Sequence, residues 1–324
     1  MPFKHHASRR HKFAKSKHRV TNWPEYTESL RQRGDVTVWV DESVAHHWGV
    51  ARTGKRGRPG TYSELAITVS LEIRTVFHLA LRQTQGFLRS VFRLMGLELD
   101  VPDFTTLSRR AGGFEPLPRA RTEAPVSLDL VLDSTGLKVF GAGEWLETKH
   151  GKTSRRRSWR KLHLGLDLET GQIACSELTT DDIGDPSAVP DLLDQIDEPV
   201  HRFLADGAYD GAATRTEIMR RFADVEIIIP PPKTAVAGPE AETNPTARDL
   251  DVLAIKAHGR MAWQKSTGYN QRARVETLMG RWKSVIGERL RSRTLKNQRT
   301  ECRIGVSVLN KMTSLGRPTF ERIS

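Results

Sequence analysis

Two periods of apolar residues divide the chain. Between Thr61 and Phe114 apolar positions recur at threes and fours: Leu65, Val69, Ile73, Val76, Phe77 and Leu81 form one helical stripe, and Phe87 to Leu94 form a second that Gly96 closes. Pro102-Asp103 opens a third helix, with Asp103 as N-cap ahead of Phe104, Leu107, Arg109 and Arg110. From Leu128 the period shortens to two. LDLVLDST is a buried strand with Asp133 at its C-terminal end and Asp129 on the same face. KLHLGLDL and QIACSELTT, joined by Glu169-Thr170-Gly171, form a β-hairpin. HRFLAD carries Asp206 to the C-terminal edge of a further strand, followed by a helix from about Gly211 to Phe222, and VEIIIPP is the last strand. The Pro-, Ala-, Thr- and Gly-rich stretch from Pro230 to about Arg260 reads as an irregular insertion. A helix over Tyr269–Lys283 and another around Ile304, Val308, Leu309 and Met312 end the pattern.

Ahead of Thr61 the pattern is weaker. Asn22–Arg33 forms a short helix, VTVWVDES around Trp39 alternates as a strand or extended tether, and ARTGKRGRPG is a basic linker. The expected organisation is therefore a basic arm and linker over 1–60, a helical module over 61–123 and a mixed α/β domain over 124–324 with an irregular insertion at about 230–260. Helix, turn, basic helix is the layout of a helix-turn-helix, which makes Thr105, Thr106, Ser108, Arg109 and Arg110 candidate major-groove contacts; a plain helical bundle is the competing reading.

Charge favours the nucleic-acid reading. The formal net charge is +12 and the sequence pI about 9.9, so a polyanionic partner is expected. Residues 1–20 hold seven Lys and Arg and no acid, the composition of a mobile arm that follows a phosphate backbone or merely solubilises. Lys149–Lys161 holds another seven, with Arg155, Arg156, Arg157, Arg160 and Lys161 around Trp159; cations with an interleaved aromatic suit a nucleic-acid strand. Cys175 and Cys302 stand far apart outside any CxxC spacing, which supports neither a disulfide framework nor a zinc site. With no apolar run of membrane length and no signal-peptide core, a soluble protein of a reducing cytoplasm is expected, without membrane partners.

The densest chemistry lies in GYNQRARVETLMGRWK. On a helix, Arg272, Glu276 and Lys283 fall roughly −60°, −20° and −40° from Tyr269, so one stripe carries a phenol, a carboxylate and two cations. The bland reading is a solvated face with Glu276 in ion pairs. The other is a site completed by Asp133 and Asp206. Strand with Asp, hairpin, helix, strand with Asp, helix, strand, then helix with Glu is the element order of an RNase H-like domain, where the two Asp-bearing strands lie side by side. Three clustered carboxylates repel unless a cation sits among them, and two Mg²⁺ ions, or Mn²⁺, about 3.5–4 Å apart suit an in-line phosphoryl displacement. Asp129 and Asp182 are the alternatives for the two aspartates; His163 reads as a core histidine, and Asp181, Asp182 and Asp185 as helix caps ahead of Pro186.

The same residues carry a family resemblance. DST at Asp133, DGAYD at Asp206 and Tyr269, Arg272, Glu276 and Lys283 in a Y-x2-R-x3-E-x6-K spacing resemble the DDE transposases of bacterial insertion sequences, and YSELAI, LRQTQGFLRS and PDFTTLSRR resemble the N-terminal module of the insertion-sequence-five family. The resemblance implies that Asp133, Asp206 and Glu276 bind two metal ions, that Arg272 and Lys283 hold DNA near the cleaved phosphate, and that Tyr269 orients that strand. It implies nicking by water at the element's terminal inverted repeats, attack of the freed 3′-OH on target DNA, no covalent protein intermediate and no small-molecule cofactor. It also implies double-stranded DNA as partner, a homodimer or higher assembly and a place at the bacterial nucleoid; to this the sequence adds the apolar runs Leu65–Leu81 and Ile304–Leu315, core or interface, and the basic strips Lys149–Lys161 and Arg289–Arg303 as candidate DNA contacts. Two alternatives share parts of the pattern: an RNase H-like nuclease without transposition, and an inactive domesticated DNA-binding protein.

Overall fold

A computed structural model describes residues 17–50, 61–113, 127–139 and 159–323. The arm through Ser16, the linker at 51–60, the joint before Ser127 and the basic run through Ser158, with Arg155, Arg156 and Arg157, lie outside the described residues.

The sheet is built on β2 (Leu128–Val139). On one side it pairs antiparallel with β3 (Trp159–Asp167), which pairs with β4 (Ile173–Thr180) in the expected hairpin. On the other it runs parallel to β5 (Val200–Leu204), followed by β6 (Glu226–Ile228), giving the order β4-β3-β2-β5-β6. The juxtaposition expected of an RNase H-like domain, the strand of Asp133 beside that of Asp206, is present. One detail differs: Asp133 does not end its strand, which runs on to Val139. Pairing with β5 stops at Val131 and Leu204, and β7 (Arg289–Leu290) takes up the same edge only at Lys138. Among the described residues, 132–137 of β2 have no strand on that side. Asp133 opens into this gap, and Asp206 lies at the same level, each two residues past the last pair.

Leu130, Val131 and Leu132 are fully buried although they point alternately to opposite faces, as a strand covered on both sides requires. One face packs Leu128, Leu130, Leu132 and Phe203 against α7 (Val189–Leu193) and α8 (Ala212–Arg221). The other joins Val131, Leu137, Leu162 and Leu164 to Trp282 of α11 (Ala273–Val285) and to Val308 and Leu309 of α12 (Leu295–Ser314). That second core continues into α4 (Glu64–Val76) through Ile67 and Ile73, so the helices ahead of the sheet share its interior. Ser307 of α12 donates to the buried Glu72 carboxyl of α4. Cys175 and Cys302 are both buried, and no disulfide joins them. Among the described residues no helix is long and apolar enough to cross a membrane.

The α-helical reading of 61–113 is borne out by α4, α5 (Leu81–Leu94) and α6 (Phe104–Arg110). Asp103 caps α6, accepting from the Thr105 and Thr106 amides. Five expectations are corrected. Lys17–Val20 belongs to no loose arm: it forms β1, paired with β8 (Phe320–Ile323), so VEIIIPP is also not the last strand. VTVWVDES forms no strand. Asp35 and Asp41 accept the Thr37 and Val44 amides, starting the short helices α2 (Val36–Trp39) and α3 (Glu42–His46), and Trp39 is buried with its indole N–H on the Arg33 carbonyl. The stretch 230–260 is only half irregular, because Thr246 and Asp249 make a capping box that starts α9 (Ala247–His258), with α10 (Arg260–Ser266) after it. The Tyr269 helix is not continuous either: Tyr269–Arg272 is a 3₁₀ turn entered through Gly268 at φ 71°, and α11 begins at Ala273.

α11 is seated through Val275, Leu278, Met279 and Trp282. Trp282 lies on Gly305 of α12, where an added Cβ would stand 2.5 Å from the Trp282 ring. Gly305→Ala is therefore expected to destabilise the protein by about 1–3 kcal/mol through overpacking. Urea unfolding followed by Trp fluorescence measures it; an unchanged midpoint would show that Trp282 repacks freely.

Candidate active site

Three elements bring three carboxylates to one guanidinium. Asp133 comes from β2, Asp206 from the turn after β5 and Glu276 from the first turn of α11. Arg272, at the end of the 3₁₀ turn, places Nη2 2.6 Å from Asp133 Oδ2 and 3.9 Å from Asp206 Oδ2, and Nη1 2.7 Å from Glu276 Oε1. Asp133 also accepts the Ser134 amide at 2.8 Å, and Asp206 caps its turn through the Ala208 amide at 2.9 Å. Side-chain exposure grades outward from 12% at Asp133 to 39% at Asp206 and 57% at Glu276, so the cluster opens to solvent on the Glu276 side.

Burial is the largest influence on Asp133 and raises its pKa; Arg272 and the Ser134 amide pull it down, while Asp206 and Glu276 push it up again. For Arg272 burial works against the charge, yet Asp133, Tyr269, Asp206 and Glu276 together outweigh it and the pKa is raised. The guanidinium is charged at any working pH. One cation among three ionised carboxylates still leaves two negative charges in excess.

No group of three His, Cys, Asp or Glu side chains among the described residues is gathered closely enough to hold a metal ion as it stands. The reason is visible, since the three carboxylates are spread around Arg272. The donor set nevertheless fits a hard divalent ion: oxygen ligands only, already converging on one cation and carrying surplus negative charge.

Tyr269 joins the cluster from the side. It is half-buried, with its ring 5.6 Å from that of Trp263, and burial raises its pKa. Lys283 is exposed on α11. Of the stripe read from the sequence, Tyr269, Arg272 and Glu276 come together, with Arg272 reaching the carboxylates from the turn that precedes the helix.

Several residues that sequence reasoning assigned elsewhere, or passed over, complete the surroundings. Asp185 caps no helix; it accepts from Ser134 Oγ at 3.1 Å and from Lys161 Nζ at 3.2 Å, next to Asp133 along β2. Tyr209 of the DGAYD run is fully buried, and its hydroxyl has no hydrogen-bond partner among the described residues. Burial, and then Asp185, Asp133 and Asp206, raise its pKa. The last residue of that run, Asp210, has a fully buried side chain paired with Arg215 at 3.3 Å and Arg248 at 2.9 Å. Asp251 then accepts from the Trp263 indole at 2.8 Å, so α9 and α10 are fastened to α8 at one end and to the Tyr269 ring at the other. The second aspartate of DGAYD and the cations at 215 and 248 were the available signal. His163 is fully buried on Thr179, a core histidine as expected.

The remaining DNA-contact candidates lie on other elements. The Thr105 and Thr106 hydroxyls donate to Asp103, and Arg110 donates to the Tyr62 carbonyl and pairs with Glu64, so these three are engaged within the fold. Arg109 is exposed. Trp159 is 37% exposed, with Lys138 Nζ 5.3 Å above its ring. Arg160 bonds Gln298 and Lys161 bonds the Ile183 carbonyl.

A family model described as a transposase DDE domain matches residues 125–311, more than half of the chain, and a second with the same description matches residues 31–142. Among solved structures, the chain is similar to the Drosophila P element transposase in a strand transfer complex, at 14% identity and TM-score 0.33 over 64% of this chain and 47% of that one. It is similar to the piggyBac transposase in a synaptic complex with hairpin DNA, at 11% identity and TM-score 0.42 over 93% and 78%. It is also similar to a pre-cleavage Mos1 transpososome, at 10% identity and TM-score 0.20 over 82% of each chain. The chain thus spans less than half the length of the P element protein.

Asp129, on the face of Asp133, faces a different partner. It pairs with Arg202, and His201 Nδ1 lies 3.5 Å away; the Arg202 hydrogen bond chiefly holds its pKa below the ordinary 3.8. Asp129→Asn is expected to cost roughly 1–2 kcal/mol at neutral pH, since Arg202 is then left partly buried without its counter-charge. A depressed carboxylate pKa contributes stability above the unfolded value and loses it as pH falls through the folded value. The difference between the two proteins in urea unfolding should therefore shrink below about pH 4; a constant difference would exclude the ion pair as its source.

Proposed function

The chain belongs to the DDE transposases, and from that membership we propose that it binds the terminal inverted repeats of an insertion sequence and catalyses metal-dependent strand cleavage and strand transfer. The observation that carries the proposal is the convergence of Asp133, Asp206 and Glu276, from adjacent parallel strands and a crossing helix, on one cationic centre. Tyr269, Arg272, Glu276 and Lys283 in their Y-x2-R-x3-E-x6-K spacing, with the upstream YSELAI and PDFTTLSRR motifs, support a place in the insertion-sequence-five family.

In this reading Asp133, Asp206 and Glu276 hold two Mg²⁺ ions, with Mn²⁺ as the alternative. Bound there, the ions would supply activation of an attacking oxygen and stabilisation of the leaving one in an in-line displacement. The chain's own residues do the rest. Tyr269, backed by Trp263, presents its ring at the rim and orients the strand, while Lys283 and Arg272 hold phosphate oxygens. The gap beside β2 between Val131 and Lys138 leaves the carboxylates open to a strand entering from the Glu276 side. Trp159 with Lys138 beside it offers a stacking surface at the end of β2, with Arg160 and Lys161 next in the chain; the basic run Arg155–Arg157 just before them in sequence is assigned the same strand.

Recognition of the element ends is assigned to the helices of 61–113, read as a helix-turn-helix module with Arg109 as its base-contacting residue, and to the basic arm ahead of them. The active species is a homodimer or larger assembly on two DNA ends, acting at the nucleoid of a bacterial cytoplasm.

Asp133→Asn, Asp206→Asn and Glu276→Gln are each expected to lower cleavage of a labelled element-end duplex by about a hundredfold or more while leaving DNA binding in place. Wild-type cleavage in any of the three would remove that residue from the set. End binding should also fall steeply with salt, with a log-log slope near −0.9 per phosphate contact. Arg109→Ala should lose discrimination between end and random duplex, and retained discrimination in an electrophoretic shift would move base reading elsewhere.

A further inference from the structure

Arg272 is bonded in a way that a DNA-gripping residue does not need. Its two terminal nitrogens are spent on the carboxylates, Nη2 on Asp133 and Nη1 on Glu276, with Asp206 at 3.9 Å. Its Nε is buried with no hydrogen-bond partner among the described residues, so the guanidinium is fastened at one end only. We propose that Arg272 is the resident counter-cation of the carboxylate site, that divalent ions must displace it to load, and that the displaced guanidinium is the group that then takes a phosphate of the DNA strand.

The charges decide the direction of exchange. Three carboxylates around one guanidinium keep an excess of two negative charges, and divalent ions remove that excess where a single monovalent cation cannot. Two of the three partners are also weakly held. Asp206 is beyond direct hydrogen-bond distance, and Glu276 is more than half exposed, where an ion pair contributes little. Only the Asp133 contact is both short and buried. After displacement Arg272 remains beside the site with a planar fork suited to a phosphate. One residue then links two binding events. Metal loading frees the phosphate grip, and DNA that takes the guanidinium leaves the carboxylates to the metal. By reciprocity each ligand raises the affinity for the other by the same factor.

The inference rests on the proposed metal role of the three carboxylates, and its test separates the two. Wild type, Arg272→Gln, Arg272→Lys and Asp133→Asn are titrated as full chains with Mn²⁺ in the absence of DNA, by calorimetry and by thermal melting. Arg272→Gln should bind Mn²⁺ about tenfold more tightly than wild type, because no internal cation competes. It should melt lower than wild type without metal and gain more from Mn²⁺. Arg272→Lys, which keeps the charge but not the fork, should fall between them and carries the test if the Gln variant does not fold. In a second arm, binding of a fluorescent mixed-sequence duplex is measured with EDTA or with Ca²⁺ at constant ionic strength. Wild type should bind several-fold more tightly with Ca²⁺, and Arg272→Gln should show no such gain. Equal or weaker Mn²⁺ binding by Arg272→Gln, or an undiminished Ca²⁺ gain, overturns the counter-cation role. If Asp133→Asn has lost Mn²⁺ binding in that case, the metal site stands and only the exchange fails. No Mn²⁺ response in wild type and Arg272→Gln alike overturns both.

Discussion

Like charges gathered at one point are the constraint on which the rest of this structure depends. Asp133, Asp206 and Glu276 repel one another, and Arg272 stands among them as their counter-charge. Each carboxylate is then anchored by its own element rather than by its neighbours. Asp133 takes its own following amide, Asp206 caps a turn, and Glu276 sits in the first turn of α11, where the helix dipole favours a negative charge. Removing any one anchor leaves the other two, which is how a cluster with excess charge remains in a defined place.

The sheet provides the opening that the cluster needs. Had β5 continued beside β2 past Val131, its backbone would fill the edge on which Asp133 lies. Instead β5 ends at Leu204 and turns away through Asp206, and the same edge is taken up again by Arg289–Leu290. The helix that closes the site is positioned from both ends. Trp282 on Gly305 fixes the C-terminal half of α11 to α12, and the chain Asp210, Arg215, Arg248, Asp251, Trp263 fixes the approach to Tyr269. The latter network is largely buried, so its ion pairs constrain geometry more than they add stability.

The carboxylates were legible in the sequence because local rules agree there. The period-two apolar strand loses its β5 partner two residues before Asp133, HRFLAD ends its pairing two residues before Asp206, and Tyr269, Arg272 and Glu276 still come together across the change from 3₁₀ turn to helix. Asp103 as N-cap and the hairpin at Glu169-Thr170-Gly171 were legible for the same reason. What was missed depends on contacts between residues far apart in the chain. The alternation in VTVWVDES looked like a strand, but Asp35 and Asp41 captured local amides first and Trp39 went into the core. The Pro230–Arg260 stretch hid a helix behind its composition, although Thr246 and Asp249 spell a capping box. Asp185 was read as a cap because it precedes Pro186, yet its partners Ser134 and Lys161 lie on two strands that no local pattern joins to it.

The continuity of the core bears on how the two ends of the chain act on the site. α4 packs on α12 and contributes Ile67 and Ile73 to the interior that also holds Trp282, six residues beyond Glu276. Glu72 and Ser307 fasten the same two helices by a buried hydrogen bond, and Lys311 of α12 lies 4.8 Å over the ring of Trp39. The pairing of Lys17–Val20 with Phe320–Ile323 adds a third tie. Helices joined to the sheet by a flexible tether would move independently of the carboxylates. These share one packed interior with α12 and with Trp282, on the helix that carries Glu276. A partner engaged by the helical segment would therefore meet a surface built on the same core as the least buried of the three carboxylates.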